Sequence, residues 1–192
     1  MDSSKIKLIK SLYEKDCIKF GSFTLKSGIE SPYYINLRNI ISYPNIIFLL
    51  SDLIYKKLNL NSNEKGNYYI CGLPYAGLPY SITISSFYGI PNLLLRKERK
   101  KYGIDNLIEG IRNDKVNREI IIIDDVLTSG SSIIESLDIF NSYNLKINKI
   151  VILVDRENGG RERLEKLGLK VESIFTITEI MEIIGKKKIE NK

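Results

Sequence analysis

Asp124 and Asp125 are adjacent carboxylates. They follow Ile120, Ile121, Ile122 and Ile123 and precede the small residues Thr128, Ser129, Gly130, Ser131 and Ser132. β-Branched isoleucines suit a strand covered on both faces. The small residues suit a turn that opens a helix, here the apolar-patterned Ile133, Ile134, Leu137, Ile139 and Phe140. Free N–H groups and the dipole at a helix N-terminus hold phosphate, and two carboxylates beside them accept hydrogen bonds from hydroxyls. The pattern therefore predicts a cradle for a sugar phosphate, with 128–132 on the phosphate and Asp124 and Asp125 on the sugar. The plainer alternative is an ordinary strand-to-helix turn with a Ser/Thr cap. Capping needs only one such residue, and an exposed Asp-Asp pair at a strand end has no packing role.

Three further constellations fall after strand-like runs. Cys71-Gly72-Leu73-Pro74-Tyr75-Ala76-Gly77-Leu78-Pro79 places two glycines and two prolines ahead of a helix, a rigid backbone able to approach a diphosphate closely. It is neither a GxGxxG fingerprint nor a P-loop, and alone it reads equally well as a plain connection. Arg96-Lys97-Glu98-Arg99-Lys100-Lys101-Tyr102-Gly103 crowds cations that repel one another unless an anion joins them. Gly103, Asp105 and Gly110 flank it with flexible positions, as a closing lid over 96–110 requires. In Asp155-Arg156-Glu157 an arginine held by neighbouring acids presents a planar fork for a carboxylate or a pyrimidine edge; otherwise it is a surface ion pair of little energetic weight.

Composition narrows the chemistry. The chain has no histidine, which excludes a histidine general base, a Ser-His-Asp triad and a histidine-ligated metal. Its two cysteines, Cys17 and Cys71, make no disulfide framework, and Cys71 is expected to be a small buried apolar residue. Any metal should be a hard, oxygen-seeking cation carried in by substrate phosphates. Lys+Arg 29 against Asp+Glu 23 gives +6, an excess suited to a small polyanion. A nucleic-acid partner is disfavoured because Tyr102 alone interrupts the basic segment. No apolar stretch approaches membrane-spanning length and no secretory h-region opens the chain, so a cytoplasmic protein without membrane partner is expected. At 192 residues with 43% hydrophobic content, one domain over 1–192 is expected.

The elements that must position these residues alternate. Helices are expected over 4–19, 46–58 (Pro44 opening it), 78–88, 132–142, 162–167 and 177–184. Strands are expected over 68–73, 92–95, 120–123, 147–155 and 171–176, with two short N-terminal strands forming a hood over 20–40. Alternation predicts an α/β fold with a central parallel sheet flanked by helices, and ligands of such sheets bind beyond the carboxyl ends of the strands. All four loaded loops fall on that edge.

The acid pair and Thr/Ser/Gly loop resemble the phosphoribosyl-pyrophosphate (PRPP) motif of type I phosphoribosyltransferases. Four other stretches extend the likeness: Phe23-Thr-Leu-Lys-Ser-Gly28 with Ser31-Pro-Tyr-Tyr-Ile35, Gly72-Leu-Pro-Tyr75, the basic segment with Ile108-Glu-Gly110, and Leu153-Val-Asp-Arg-Glu157. With them the chain is similar along nearly its whole length to the orotate phosphoribosyltransferases, most of all to the transferase half of UMP synthases. The resemblance implies the type I fold with a small N-terminal hood, transfer of phosphoribose from PRPP to orotate, and magnesium held mainly by PRPP, with Asp124 and Asp125 assisting through water. It implies a homodimer whose lid crosses to the neighbouring site, and leaves room for a separate orotidylate decarboxylase partner. By residue, it gives Lys26 to PRPP, Tyr33 and Tyr34 to the orotate pocket, and Tyr75 to the diphosphate loop. Arg96, Lys97, Lys100 and Tyr102 fall to the lid, with Lys100 the catalytic lysine. Asp124 and Asp125 go to the ribose hydroxyls, 128–132 to the 5′-phosphate, and Thr128 with Arg156 to orotate. Many bacterial members carry His where this chain has Tyr102 and an acid where it has Lys101, so a proton-transfer role for that His does not carry over. The rivals are a purine-type phosphoribosyltransferase and a PRPP-sensing regulator that binds nucleic acid.

Overall fold

The computed structural model describes residues 3–24, 30–98, 106–114 and 116–185. Helix α1 (Ser3–Glu14) leads into an antiparallel pair, β1 (Ile18–Thr24) and β2 (Glu30–Ile35). The first helix ends five residues earlier than its periodicity suggests. Asp16 adopts a left-handed φ of 56°, which ends the helix. The apolar residues that follow then serve a strand, in which Ile18 pairs with Ile35. Gly21 consequently sits inside β1, in the register irregularity between Phe20 and Phe23, rather than at a helix end.

A 3-10 turn (Leu37–Ile40) connects the hood to α2 (Pro44–Leu58), whose proline occupies the first turn where no N–H is needed. Strand β3 (Tyr68–Gly72), α3 (Leu78–Tyr88), β4 (Asn92–Leu95), β5 (Ile108–Glu109), β6 (Glu119–Leu127) and α4 (Ser131–Ser142) follow. The chain continues through β7 (Ile147–Asp155), α5 (Gly160–Glu165), β8 (Val171–Thr176) and α6 (Ile177–Ile184). The six-stranded sheet has the order β5-β4-β3-β6-β7-β8. It is parallel except at its edge, where β5 returns antiparallel to β4. That two-residue strand carries no periodicity of its own; it forms because Arg96 donates its N–H to Leu107 O at 2.8 Å and the chain folds back on β4.

The strands are buried on both faces, and successive side chains separate into two cores. Ile70, Ile121, Ile123, Val151 and Leu153 pack under α1, α2, α3 and α6, while Cys71, Ile120, Ile122, Ile150 and Ile152 pack under α4 and α5. Cys71 is fully buried and its thiol is pushed up to about 12 by burial, in keeping with an apolar role. Thr176 and Glu179 close a reciprocal capping box on α6. Among the described residues no helix is long and apolar enough to cross a membrane.

Candidate active site

Strand β6 does not stop at Ile123; it carries Asp124 and Asp125 within the sheet and ends at Leu127. The expectation of an exposed pair beyond the strand is therefore corrected: Asp124 is only 7% exposed and pairs in register with Ile152 of β7. Alternation sends the two carboxylates to opposite faces. Asp124 continues the Ile120 and Ile122 row toward α4, and Asp125 continues the Ile121 and Ile123 row toward α2 and α3. Asp125 N–H donates to Asp124 Oδ1 at 3.0 Å, and Val126 N–H to Asp125 Oδ1 at 2.9 Å. Burial, and then the neighbouring Asp125 charge, raise Asp124 to about 8. Burial also raises Asp125, against the opposing pull of the Val126 N–H and the Arg38 guanidinium. Burial and mutual repulsion thus both favour a protonated form of the pair, most strongly at Asp124.

Beyond Leu127 the small residues form a cavity of about 240 Å³ lined by Asp124, Val126, Leu127 and all five of Thr128, Ser129, Gly130, Ser131 and Ser132. Gly130, at φ 73°, is the N-cap of α4, which begins one residue earlier than its apolar pattern suggests. Ser129 and Ser131 hydroxyls lie 3.0 Å apart. Arg163 of α5 reaches over this rim, donating from one terminal nitrogen to Ser129 O at 3.3 Å and Ser131 Oγ at 3.2 Å. From beneath, Gly160 presses on Thr128: a Cβ there would stand 2.3 Å from the Thr128 carbonyl oxygen.

The second loop, between β3 and α3, is packed backbone against backbone. Leu73 N–H donates to Ile123 O, and Gly77 N–H to Leu73 O, both at 2.9 Å. A Cβ on Gly72 would meet Gly77 O at 2.3 Å, and one on Gly77 would meet Ile123 O at the same distance. The Pro74–Tyr75 peptide is cis. Tyr75 projects outward, 67% exposed, and Lys97 Nζ lies 4.8 Å from its ring centroid.

Both loops open into one cleft of about 750 Å³, walled by Thr24, Tyr34 and Asn36 of the hood and by Tyr75, Lys97, Asp124, Asp125, Thr128, Ser132 and Arg156. Its size suits a small-molecule substrate. Arg156 is buried, though not in the grip of its sequence neighbours as the Asp-Arg-Glu triplet suggests. Asp155 instead accepts from Arg161 Nε at 2.9 Å, and Glu157 turns away to accept from the N–H and hydroxyl of Thr178. Glu157 sits at a left-handed φ of 54°, which aims it there. Arg156 is held by the hood: it donates to Ser31 Oγ at 3.1 Å and its guanidinium lies 4.8 Å from the Tyr33 ring centroid. Arg156 Nε is buried without a protein partner.

The predicted residues therefore separate. Tyr34, Tyr75, Lys97, Asp124, Asp125, Thr128, Ser132 and Arg156 converge on the cleft. Ser129, Gly130 and Ser131 line the adjoining cavity. Tyr33 is buried beneath Arg156 rather than on the cleft wall, and Arg96 stands back at the end of β4, 3.9 Å from Glu109. Lys26, Lys100 and Tyr102 lie outside the described residues. Arg38, which lines the cleft beside Asp125, went unread; its signal is a cation two residues past Asn36, where the hood strand gives way to a turn. Among the described residues no group of three or more carboxylate or cysteine ligands is gathered for a metal; the oxygens of Asp124 and Asp125 are of the hard type that suits magnesium.

A family model described as the phosphoribosyl transferase domain matches residues 38–182. Uridine 5′-monophosphate synthase of Bos taurus is 39% identical over 182 residues, covering 94% of this chain but 37% of the relative; the chain thus spans little more than a third of such relatives. Orotate phosphoribosyltransferase of Pyrococcus horikoshii is 33% identical over 187 residues, covering 96% of this chain and 97% of the relative. The crystal structure of orotate phosphoribosyltransferase from Aeropyrum pernix superposes with a TM-score of 0.77 at 27% identity, covering 93% of this chain and 98% of that one.

Proposed function

From the premise that the chain belongs to the orotate phosphoribosyltransferase family, we propose that it transfers the phosphoribosyl group of PRPP to orotate, yielding orotidine 5′-monophosphate and pyrophosphate. The observation that carries this reading is the position of Asp124 and Asp125, which face opposite sides of β6 between two loops built for anions. PRPP has this layout: a phosphate at one end, a diphosphate at the other, and two ribose hydroxyls between.

In this mechanism the N–H groups and hydroxyls of 128–132, with the dipole of α4, hold the 5′-phosphate. Asp124 and Asp125 accept the ribose hydroxyls, and their charge favours the cationic character that develops at C1′ as its bond to the diphosphate breaks. Orotate N1 then bonds to C1′, and its proton passes to the departing pyrophosphate. Arg156, already aimed by Ser31 and the Tyr33 ring, offers its fork to orotate across from Tyr34, with Thr128 alongside. Magnesium, when bound, neutralises diphosphate charge. Catalysis is positioning and electrostatics, without a covalent nucleophile. Lys26 and the lid residues Lys100 and Tyr102 are proposed to complete the site on closure, Lys100 meeting the leaving diphosphate.

A homodimer is part of the proposal. Phe48 of α2, Ile82 and Phe87 of α3, and Ile41 just ahead of α2 form an exposed apolar face, with Phe48 and Phe87 rings 4.9 Å apart. Such a face favours burial against a partner. Light scattering should give twice the chain mass for wild type and half that for Phe87→Glu; a wild-type monomer removes the dimer. A separate orotidylate decarboxylase partner and a cytoplasmic location complete the proposal, the latter consistent with two free, buried thiols.

The deciding experiment follows orotate absorbance with PRPP and magnesium. Loss of orotate absorbance dependent on PRPP is expected. Turnover with adenine, guanine or hypoxanthine but not with orotate would transfer the reading to a purine enzyme.

A further inference from the structure

We propose that Arg38 is a diphosphate-binding residue, the second cation of a pair that, with Lys97, holds the leaving group. The inference rests on the PRPP reading above and assigns a residue that the motifs leave out.

The loop nearest the diphosphate has no cation of its own. Residues 72–79 are Gly, Leu, Pro, Tyr, Ala, Gly, Leu and Pro, and they offer an anion only backbone groups. A diphosphate carries charge that such a loop cannot neutralise, so the cations must come from elsewhere. Lys97 supplies one, poised over the exposed Tyr75 ring. Arg38 is positioned to supply the other. Leu37 and Ile40 anchor its 3-10 turn in the core, while the Arg38 side chain lies exposed on the cleft wall with Asn36, Pro74, Tyr75 and Asp125.

Its orientation is set. Arg38 Nε donates to Asn36 Oδ1 at 3.0 Å, Asn36 Nδ2 donates on to Asn39 Oδ1 at 3.0 Å, and Asn36 N–H is fixed to Cys17 O at 2.8 Å. The terminal nitrogens are left as a fork. Among the described residues no carboxylate pairs directly with that fork, yet Asp125 lies close enough to feel its charge.

The two faces of β6 decide which anion it meets. Asp124 shares its face with the 128–132 cavity. Asp125 points to the α3 side, where buried Tyr80 senses its charge, and α3 begins directly after the 73–77 loop. Arg38 stands on the Asp125 side, hence on the diphosphate side. Arg156 occupies the acceptor end, held by Ser31 and Tyr33. The site therefore divides two arginines between two anions: Arg156 for the acceptor and Arg38 for the leaving group. Placed beside Asp125, Arg38 also limits repulsion between that carboxylate and the incoming diphosphate.

The test uses Arg38→Gln and Arg38→Lys in the full chain, with melting temperatures to confirm folding. Calorimetric titration with inorganic pyrophosphate and magnesium should show binding weakened roughly tenfold to hundredfold in Arg38→Gln, the usual cost of losing a charge-assisted contact. Arg38→Lys should recover part of it. In turnover assays KM for PRPP should rise while KM for orotate stays within about twofold. Unchanged pyrophosphate affinity in a folded Arg38→Gln protein overturns the assignment, and a rise confined to orotate KM gives the fork to the acceptor and overturns it equally. Failure of the wider reading would look different: wild type itself would not turn over orotate, whatever Arg38 does to pyrophosphate binding.

Discussion

The loops after β3 and β6 sit side by side on the two central strands and both face the cleft, but they are built in opposite ways. The 128–132 loop is open and polar, with hydroxyls on its rim, Gly130 in a left-handed turn and a twelve-residue helix behind it. The 73–77 loop has no hydroxyl except Tyr75, no cation, and no space: a Cβ on Gly77, or on Gly72 just ahead of the loop, would meet a carbonyl oxygen at 2.3 Å. On the proposed reading the first is a complete phosphate site formed from contiguous residues. The second would supply shape only and borrow its charge from Lys97 and Arg38. A 5′-phosphate stays through the reaction whereas a diphosphate must leave, so a fixed cradle suits the one and assembled, removable cations suit the other.

The most severe way to break this comparison is Gly77→Ala. The new Cβ would stand 2.3 Å from Ile123 O and 2.6 Å from Leu73 N. The first atom directly precedes Asp124 and the second belongs to the loop itself, so loop and acid pair must shift together. A loss of about 3 kcal/mol in stability is expected from such overpacking, with kcat/KM down at least about a hundredfold. Gly130→Ala meets only the Leu164 side chain, at 3.1 Å, and pays mainly for its left-handed φ, about 1 kcal/mol. Its kcat/KM should fall less than about tenfold. Thermal melts and steady-state kinetics on the pair measure the contrast; equal losses at both glycines would erase it.

Asp125→Asn is next. It removes charge from the diphosphate side of β6 while keeping the shape, and should lower kcat/KM for PRPP by about tenfold to a hundredfold. Wild-type kinetics in this variant would strip Asp125 of its place beside the leaving group.

How much of this was legible in the chain depends on whether neighbours in space are neighbours in sequence. The helix at 177–184 and the strands at 92–95, 147–155 and 171–176 were readable because local pattern and burial agree there, and the helix at 78–88 because a Gly/Pro loop opens it. The turn over 128–132 was legible for the same reason: a strand, a turn and a helix N-terminus are consecutive. The extent of β6 through Asp124 and Asp125 was not, since two acids read locally as an exposed end and only pairing with β7 keeps them in the sheet. Arg156 misled because its sequence neighbours are acids, whereas its true holders, Ser31 and Tyr33, lie more than a hundred residues earlier. Arg38 was silent because nothing adjacent to it carries a motif.

The acid pair offers a pH test that separates the two faces. Asp124 holds its proton to about 8, chiefly through burial, far above an ordinary carboxylate, so the folded ligand-free protein binds a proton that the unfolded chain has already released. Its stabilising contribution is full below the ordinary carboxylate range and is lost as pH rises toward 8. The melting temperature of the ligand-free protein should accordingly fall over that interval, and Asp124→Asn should flatten the fall. Binding of PRPP with magnesium, which favours the ionised pair, should tighten by up to about tenfold per pH unit until about 8. Calorimetry in buffers of different ionisation enthalpy should register proton release near pH 7. No release would mean that the pair is already ionised or that the proton stays.

The mildest prediction bears on whether the 128–132 cradle is as self-sufficient as the comparison claims. Arg163 donates to the Ser129 carbonyl and the Ser131 hydroxyl from outside the loop, and its exposed guanidinium is screened by water. If contiguous N–H groups and the α4 dipole hold the phosphate, Arg163→Ala should raise KM for PRPP only about twofold to threefold, with kcat unchanged and the effect fading at high salt. A loss as large as that expected for Arg38→Gln would show that this loop also borrows its charge, and the distinction between a complete cradle and an assembled one would collapse.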